Sequence, residues 1–172
     1  MSNNTERGVA VVTGGSAGIG RAIVADLLER GHEVISLARH CGEHQHPRLT
    51  HVEVDLSDRA ATAQVAAELA RRGDVTTLVH NAGVPPGMES SLRQFKDLTD
   101  EDFEKQLDLN LHAITGLTRL VIGDMADRGW GRIVIVSSEP WRIGLKFGLS
   151  NYAAAKAAAL GFMRQRAHAV GR

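Results

Sequence analysis

The chain has 172 residues, with 20 Lys and Arg against 20 Asp and Glu, so its formal net charge is zero. That balance argues against a nucleic-acid or membrane-surface protein, both of which need an excess of cations. One cysteine, Cys41, precludes an intramolecular disulfide and suits a reducing compartment. The polar start Met1–Arg7 lacks an apolar signal region, and no run approaches the roughly 18 apolar residues of a membrane span, so a cytoplasmic location is expected.

Val9-Ala10-Val11-Val12 is apolar without alternation, the pattern of a strand buried on both faces of a parallel sheet. It runs into Thr13-Gly14-Gly15-Ser16-Ala17-Gly18-Ile19-Gly20, then into a segment with Ile23, Leu27 and Leu28 on one helical side and Arg21, Asp26 and Glu29 on the other. Gly31 stops that helix, and Glu33–Ala38 reads as a second strand. Residues 39–48 are polar and His-rich, a loop, and Thr50–Val54 is a short third strand. Asp58 caps a helix over 59–72. Val75–His80 is the fourth strand, followed by Asn81-Ala82-Gly83 and an irregular stretch through 84–99 with Pro85, Pro86 and Gly87. Thr99-Asp100-Glu101-Asp102 has the form of a capping box opening a long helix with Leu107, Leu111, Ile114, Leu117 and Val121 on its apolar side. Gly129-Trp130-Gly131 breaks it. Arg132–Ser137 is expected as a fifth strand buried on both faces, and Ser150 or Asn151 opens a last helix to about 168. Strands alternating with helices, without repeat or linker, predict one α/β domain over 1–172 with a Rossmann-like, doubly wound parallel sheet.

In such sheets ligands bind beyond the carboxyl ends of the strands, and the chemically suggestive residues gather there. A buried strand, a Gly-rich turn and a helix N-terminus make an anion site, usually for a dinucleotide pyrophosphate; a tight turn without ligand would read the same way. At the end of the second strand an NAD site wants a carboxylate about 20 residues past the glycines. Here Ala38 is followed by Arg39, which would pair with a 2′-phosphate. NADP(H) is therefore expected over NAD(H), unless Glu43 reverses the preference or Arg39 is an ordinary loop arginine. His40, Cys41, His44 and His46 invite a metal reading, but no distant ligand pair completes a site, so no metal is expected. Asp55 is a candidate acceptor from adenine, with the Leu56 amide as donor, or else a helix cap. Asn81 can bridge neighbouring strand ends. Tyr152 and Lys156 lie four apart and share a helical face, where an ammonium favours the phenolate and fits the phenol for proton transfer. Ser138, past the fifth strand, can donate to the same substrate oxygen.

The spacing T-G-x-x-x-G-x-G over Thr13–Gly20, the N-A-G of Asn81–Gly83 and the Y-x-x-x-K of Tyr152–Lys156 together resemble the short-chain dehydrogenase/reductase family. The resemblance covers essentially the whole chain and is strongest to the 3-oxoacyl-carrier-protein reductase branch. It implies a catalytic set of Asn110, Ser138, Tyr152 and Lys156, with Asn110 holding a water that links the lysine to solvent. The cofactor site it implies comprises Gly14, Ser16, Gly18, Ile19, Gly20, Arg39, Asp55, Leu56, Asn81, Ala82 and Gly83, together with Tyr152 and Lys156. His80 stands where the family usually has asparagine, and Glu139-Pro140-Trp141-Arg142 follows Ser138 where small residues are commoner, so Trp141 and Arg142 line a substrate mouth or pack on the surface. Family members continue past the equivalent of Arg172 through a sixth strand, a P-G turn, a lid and a seventh strand, and they dimerise through helices like 100–124 and 151–168. The expected function is NADP(H)-dependent interconversion of a carbonyl and a secondary alcohol in a small-molecule substrate, by a homo-oligomer. The alternative is a cofactor-binding or oligomer-forming relative without turnover.

Overall fold

The computed structural model describes residues 8–83, 93–145 and 148–170. Val9–Thr13 forms β1, with all five residues buried as its unbroken apolar run requires. Gly18–Glu29 forms α1, Glu33–Ala38 β2 and Leu49–Glu53 β3, one residue earlier than the alternation suggested. Arg59–Arg72 forms α2, and the Asp58 carboxylate accepts from the amides of Ala60 and Ala61 at its start. Val75–His80 forms β4. A 3₁₀ turn at Phe95–Asp97 precedes α3, Asp100–Leu107. There the Thr99 hydroxyl accepts from the Asp102 amide and the Asp102 carboxylate accepts from the Thr99 amide, the capping box the sequence predicts.

The long helix expected from Asp100 runs without a break to Asp127 but is not α-helical throughout. Asp108–His112 forms a π-turn, and α4 then runs from Ala113 to Asp127. β5 is Arg132–Ile135, α5 is a short helix at Pro140–Ile143, and α6 spans Ser150–Val170.

All strand pairs are parallel, in the order β3-β2-β1-β4-β5. Side chains alternate across the sheet. Val9, Val11, Ile35, Leu37, Val75 and Leu78 pack against Ala66 and Leu69 of α2 and Leu117, Val121 and Met125 of α4. Ala10, Val12, Val34 and Val79 face the other way, against Val24 and Leu28 of α1.

That division corrects the expectation for β5. Ile133 packs with the α2–α4 layer, but Val134 is 46% exposed. β5 lies at the sheet edge, and the described core of the opposite face is furnished by α1, which covers β1, β2 and β4. The Ile-Val run is therefore half-buried on one face and exposed on the other.

Candidate active site

The chain leaves β1 toward β2 and β3, then returns through β4 to β5 on the other side of β1. The crevice between the carboxyl ends of β1 and β4 is thus a topological switch point, where open α/β sheets bind ligands. Hydrogen bonds from both loops build its floor. The Thr13 hydroxyl accepts from the amides of Asn81 (3.0 Å) and Ala82 (2.9 Å), while the Asn81 side-chain amide donates to the carbonyls of Thr13 (3.1 Å) and Gly14 (3.2 Å). Asn81 therefore bridges the strand ends as its position suggested.

Above this floor the Gly-rich turn passes so closely that a Cβ on Gly20 would overlap the Gly14 carbonyl and come within 2.5 Å of Asn81 Nδ2. Gly14 itself has a φ of +67°. The N-cap of α1 is Ala17, which offers no side-chain acceptor, and no acid stands in the first turn. The first amides of α1 thus lack a local side-chain counterpart, which is what an incoming anion needs. Ile19, in that turn, is 66% exposed.

At the outer end, Arg39 is exposed just past β2. The loop behind it lies against the Gly-rich turn, since a Cβ on Gly42 would sit 3.0 Å from the Ser16 carbonyl oxygen. Asp55 does not cap α2. Its Oδ1 accepts from the Ser57 hydroxyl (2.7 Å) and amide (2.9 Å). These bonds, the hydroxyl foremost, hold its carboxyl below the usual range, and the Arg39 guanidinium adds to the effect. Leu56 beside it is buried.

At the inner end, α6 presents Tyr152 and Lys156, both buried. Lys156 Nζ lies 5.8 Å from the Tyr152 ring centroid and donates to the Val136 carbonyl at 3.1 Å. Burial pushes the Lys156 ammonium down to about 8. A Cβ on Gly83 would lie 3.3 Å from both Lys156 Nζ and Asn110 Oδ1, so the N-A-G loop, the lysine and Asn110 converge.

Asn110 is fully buried at the centre of the π-turn, a distortion common at functional sites. Its amide nitrogen donates to the backbone and side-chain oxygens of Gln106, whereas its Oδ1 has no hydrogen-bond partner among the described residues. Ser138 lies partly exposed between β5 and α5, and no hydrogen bond joins it to Tyr152 among the described residues.

His80 is buried beneath this group, with Nε2 2.9 Å from the Thr118 hydroxyl. Burial foremost, and then the Lys156 charge, lower its pKa to about 3. A strand-end histidine facing a helix threonine carries no sequence signature, so this contact was not foreseen.

Of the residues after Ser138, Arg142 is exposed and ion-paired with Glu139 at 2.9 Å, and Trp141 is half-buried. Among the described residues, the trio close enough to share an ion is Glu104, Asp108 and His112 rather than the His-rich loop, and Arg59 ion-pairs with both of those carboxylates. No described helix is long and apolar enough to cross a membrane.

The chain is similar to known proteins. Residues 8–172 match the family described as short chain dehydrogenase. An acetoacetyl-CoA reductase of Cupriavidus necator is 34% identical over 171 residues, covering 90% of this chain and 65% of that protein. A 3-oxoacyl-[acyl-carrier-protein] reductase of Escherichia coli is 32% identical, over 97% of this chain and 69% of that one. The structure of a short-chain dehydrogenase from Streptomyces avermitilis superposes with a TM-score of 0.82 at 31% identity, over 99% of this chain and 62% of its own. The chain thus spans about two thirds of the length of these relatives. With the parallel sheet, the Gly-rich turn at its switch point and the family match over residues 8–172 in agreement, the chain belongs to the short-chain dehydrogenase family.

Proposed function

We propose that residues 1–172 act as one cofactor-binding domain of an NADP(H)-dependent oxidoreductase that interconverts a carbonyl and a secondary alcohol. The observation that carries this reading is the convergence of Lys156, Tyr152, Asn110 and Gly83 at the inner end of the crevice that the Gly-rich turn caps. The residues fit a dinucleotide. The amides of α1 lack an acid or cap, Gly18 has a φ of +51° with nothing within 4 Å of a Cβ placed on it, and Asn110 Oδ1 has no donor among the described residues.

When bound, the nicotinamide supplies or accepts the hydride. The chain's own residues do the rest. Gly14, Ser16, Gly18, Ile19 and Gly20 receive the pyrophosphate and flank the nicotinamide end. Arg39 pairs with the 2′-phosphate, Asp55 and the Leu56 amide hold the adenine, and Asn81, Ala82 and Gly83 form the floor. Lys156 binds the nicotinamide ribose and favours proton release from the adjacent phenol. Tyr152 gives its proton to the carbonyl oxygen, which Ser138 holds by a hydrogen bond. Asn110, with Oδ1 facing the same space as Nζ, orders the water through which the lysine is reprotonated.

The names of two relatives specify acetoacetyl-CoA and 3-oxoacyl-carrier-protein as substrates, which supports a 3-oxoacyl thioester or a similar ketone here. A homo-oligomer built through α3–α4 and α6 is part of the same reading, and light scattering tests it.

A second reading, cofactor binding without turnover, is favoured by uncovered apolar surface beside the site. Val134 is 46%, Ile143 61% and Leu145 47% exposed. NADPH fluorescence titration together with NADPH consumption in the presence of acetoacetyl-CoA separates the two readings. Binding with turnover supports the reductase, and binding without it supports the second reading.

A further inference from the structure

We propose that Asn151 is a positioning residue for Tyr152, tying the strained turn into α6 to the first turn of α3. The inference rests on the reading of Tyr152 as the proton donor. Leu149 has a φ of +72° and is the one described non-glycine residue with a positive φ. Leucine rarely adopts that conformation, and it persists only where neighbouring contacts impose it. Leu149 is buried, and its carbonyl accepts from the Ala153 amide at 2.7 Å, opening the helix.

Within this first turn the Asn151 side chain, 1% exposed, makes two bonds to backbone. Its Nδ2 donates to the Asp102 carbonyl at 3.1 Å, and its Oδ1 accepts the Tyr152 amide at 2.9 Å. One side-chain amide thereby joins the backbone of α3 to the backbone of the residue bearing the phenol.

The far end of this link is itself fixed. The Asp102 carboxylate accepts from the Thr99 amide, the Thr99 hydroxyl and Arg93 Nη1, each at 3.0 Å. Lys156 is referenced differently, through Nζ to the Val136 carbonyl behind β5. The phenol and the ammonium are thus held by separate anchors, and their spacing depends on both. A displacement of about 1 Å at reacting atoms can cost a hundredfold in rate, so loosening the Asn151 anchor should act on turnover more than on binding.

Tyr152 is the chain's sole tyrosine, so incorporated fluorotyrosine gives one fluorine NMR resonance that reports its ring without any need for activity. In Asn151→Ala and Asn151→Asp, the second of which retains an acceptor for the Tyr152 amide but loses the donor to Asp102, the resonance should shift or broaden. NADPH affinity should stay within about twofold. If the parent turns over, kcat should fall at least tenfold with KM nearly unchanged, a split that general loss of folded protein does not produce.

Should neither variant fold, hydrogen exchange on the parent decides. The third residue of a helix has no intrahelical acceptor for its amide, so slow exchange at the Tyr152 amide requires Asn151, and fast exchange there would overturn the proposal. An unmoved resonance, or unchanged kcat, in folded variants would also overturn it. A parent without turnover but with a shifted resonance in the variants would leave Asn151's role standing and remove the reductase reading.

Discussion

Lys156→Met should make the nucleotide-free protein more stable, with a pH dependence that identifies the cause. Burial holds the ammonium at about 8 against 10.5 for an exposed lysine. Each pH unit of separation is worth about 1.4 kcal/mol, so keeping Lys156 charged near pH 7 costs the folded state about 3 kcal/mol. Removing it leaves the Val136 carbonyl without its donor, a loss of about 1 kcal/mol, so the net gain is about 2 kcal/mol. The sign follows from linkage. Between 8 and 10.5 the unfolded chain binds more protons at this site than the folded one, so the parent's stability rises with pH through that window. The advantage of the variant should be constant below about pH 8 and shrink toward 10.5. Urea unfolding of both proteins across this range measures the difference and cancels groups common to the two. A variant less stable than the parent near pH 7, or an advantage that does not change with pH, would refute the reasoning.

The remaining predictions follow from the same crevice. Arg39→Asp should invert or abolish a preference for NADPH over NADH; one charge-assisted contact is worth roughly 1.5–3 kcal/mol, on the order of tenfold to a hundredfold, and fluorescence titration with both nucleotides reads it. Equal affinities in the parent would contradict the assignment. Gly20→Ala should destabilise by about 1–3 kcal/mol and weaken NADPH binding, because the new methyl overlaps the Gly14 carbonyl and crowds Asn81 Nδ2. Thermal melting with and without NADPH checks this.

Much of the site was legible because its residues punctuate the chain. Gly-rich turns, Asn81-Ala82-Gly83 and the helical spacing of Tyr152 and Lys156 each mark a backbone event as well as a chemistry, and the structure brings Asn81 onto Gly14 and Lys156 toward Tyr152. The caps at Asp58 and Thr99 were equally readable, since a short polar side chain before an apolar periodic run has a local cause. What could not be read depends on distant neighbours. The π-turn at Asp108–His112 carries no glycine or proline, and its effect is to bury Asn110 among partners on other elements. The exposure of Val134 reflects which helices cover each sheet face rather than any feature of Ile133-Val134-Ile135. Leu149, buried and with a φ of +72°, has no sequence mark for a left-handed backbone. The expected irregularity of 84–92 lies outside the described residues.

The central claim is that Tyr152 transfers the proton while contributing little to nucleotide binding. The most direct test measures NADPH oxidation with acetoacetyl-CoA by the parent chain and by Tyr152→Phe, alongside NADPH affinity for each. The account predicts turnover in the parent, loss of at least a hundredfold in the variant, and affinities within about twofold of each other. A variant that retains most of the parent's turnover, or a parent that binds NADPH and never consumes it, would contradict it.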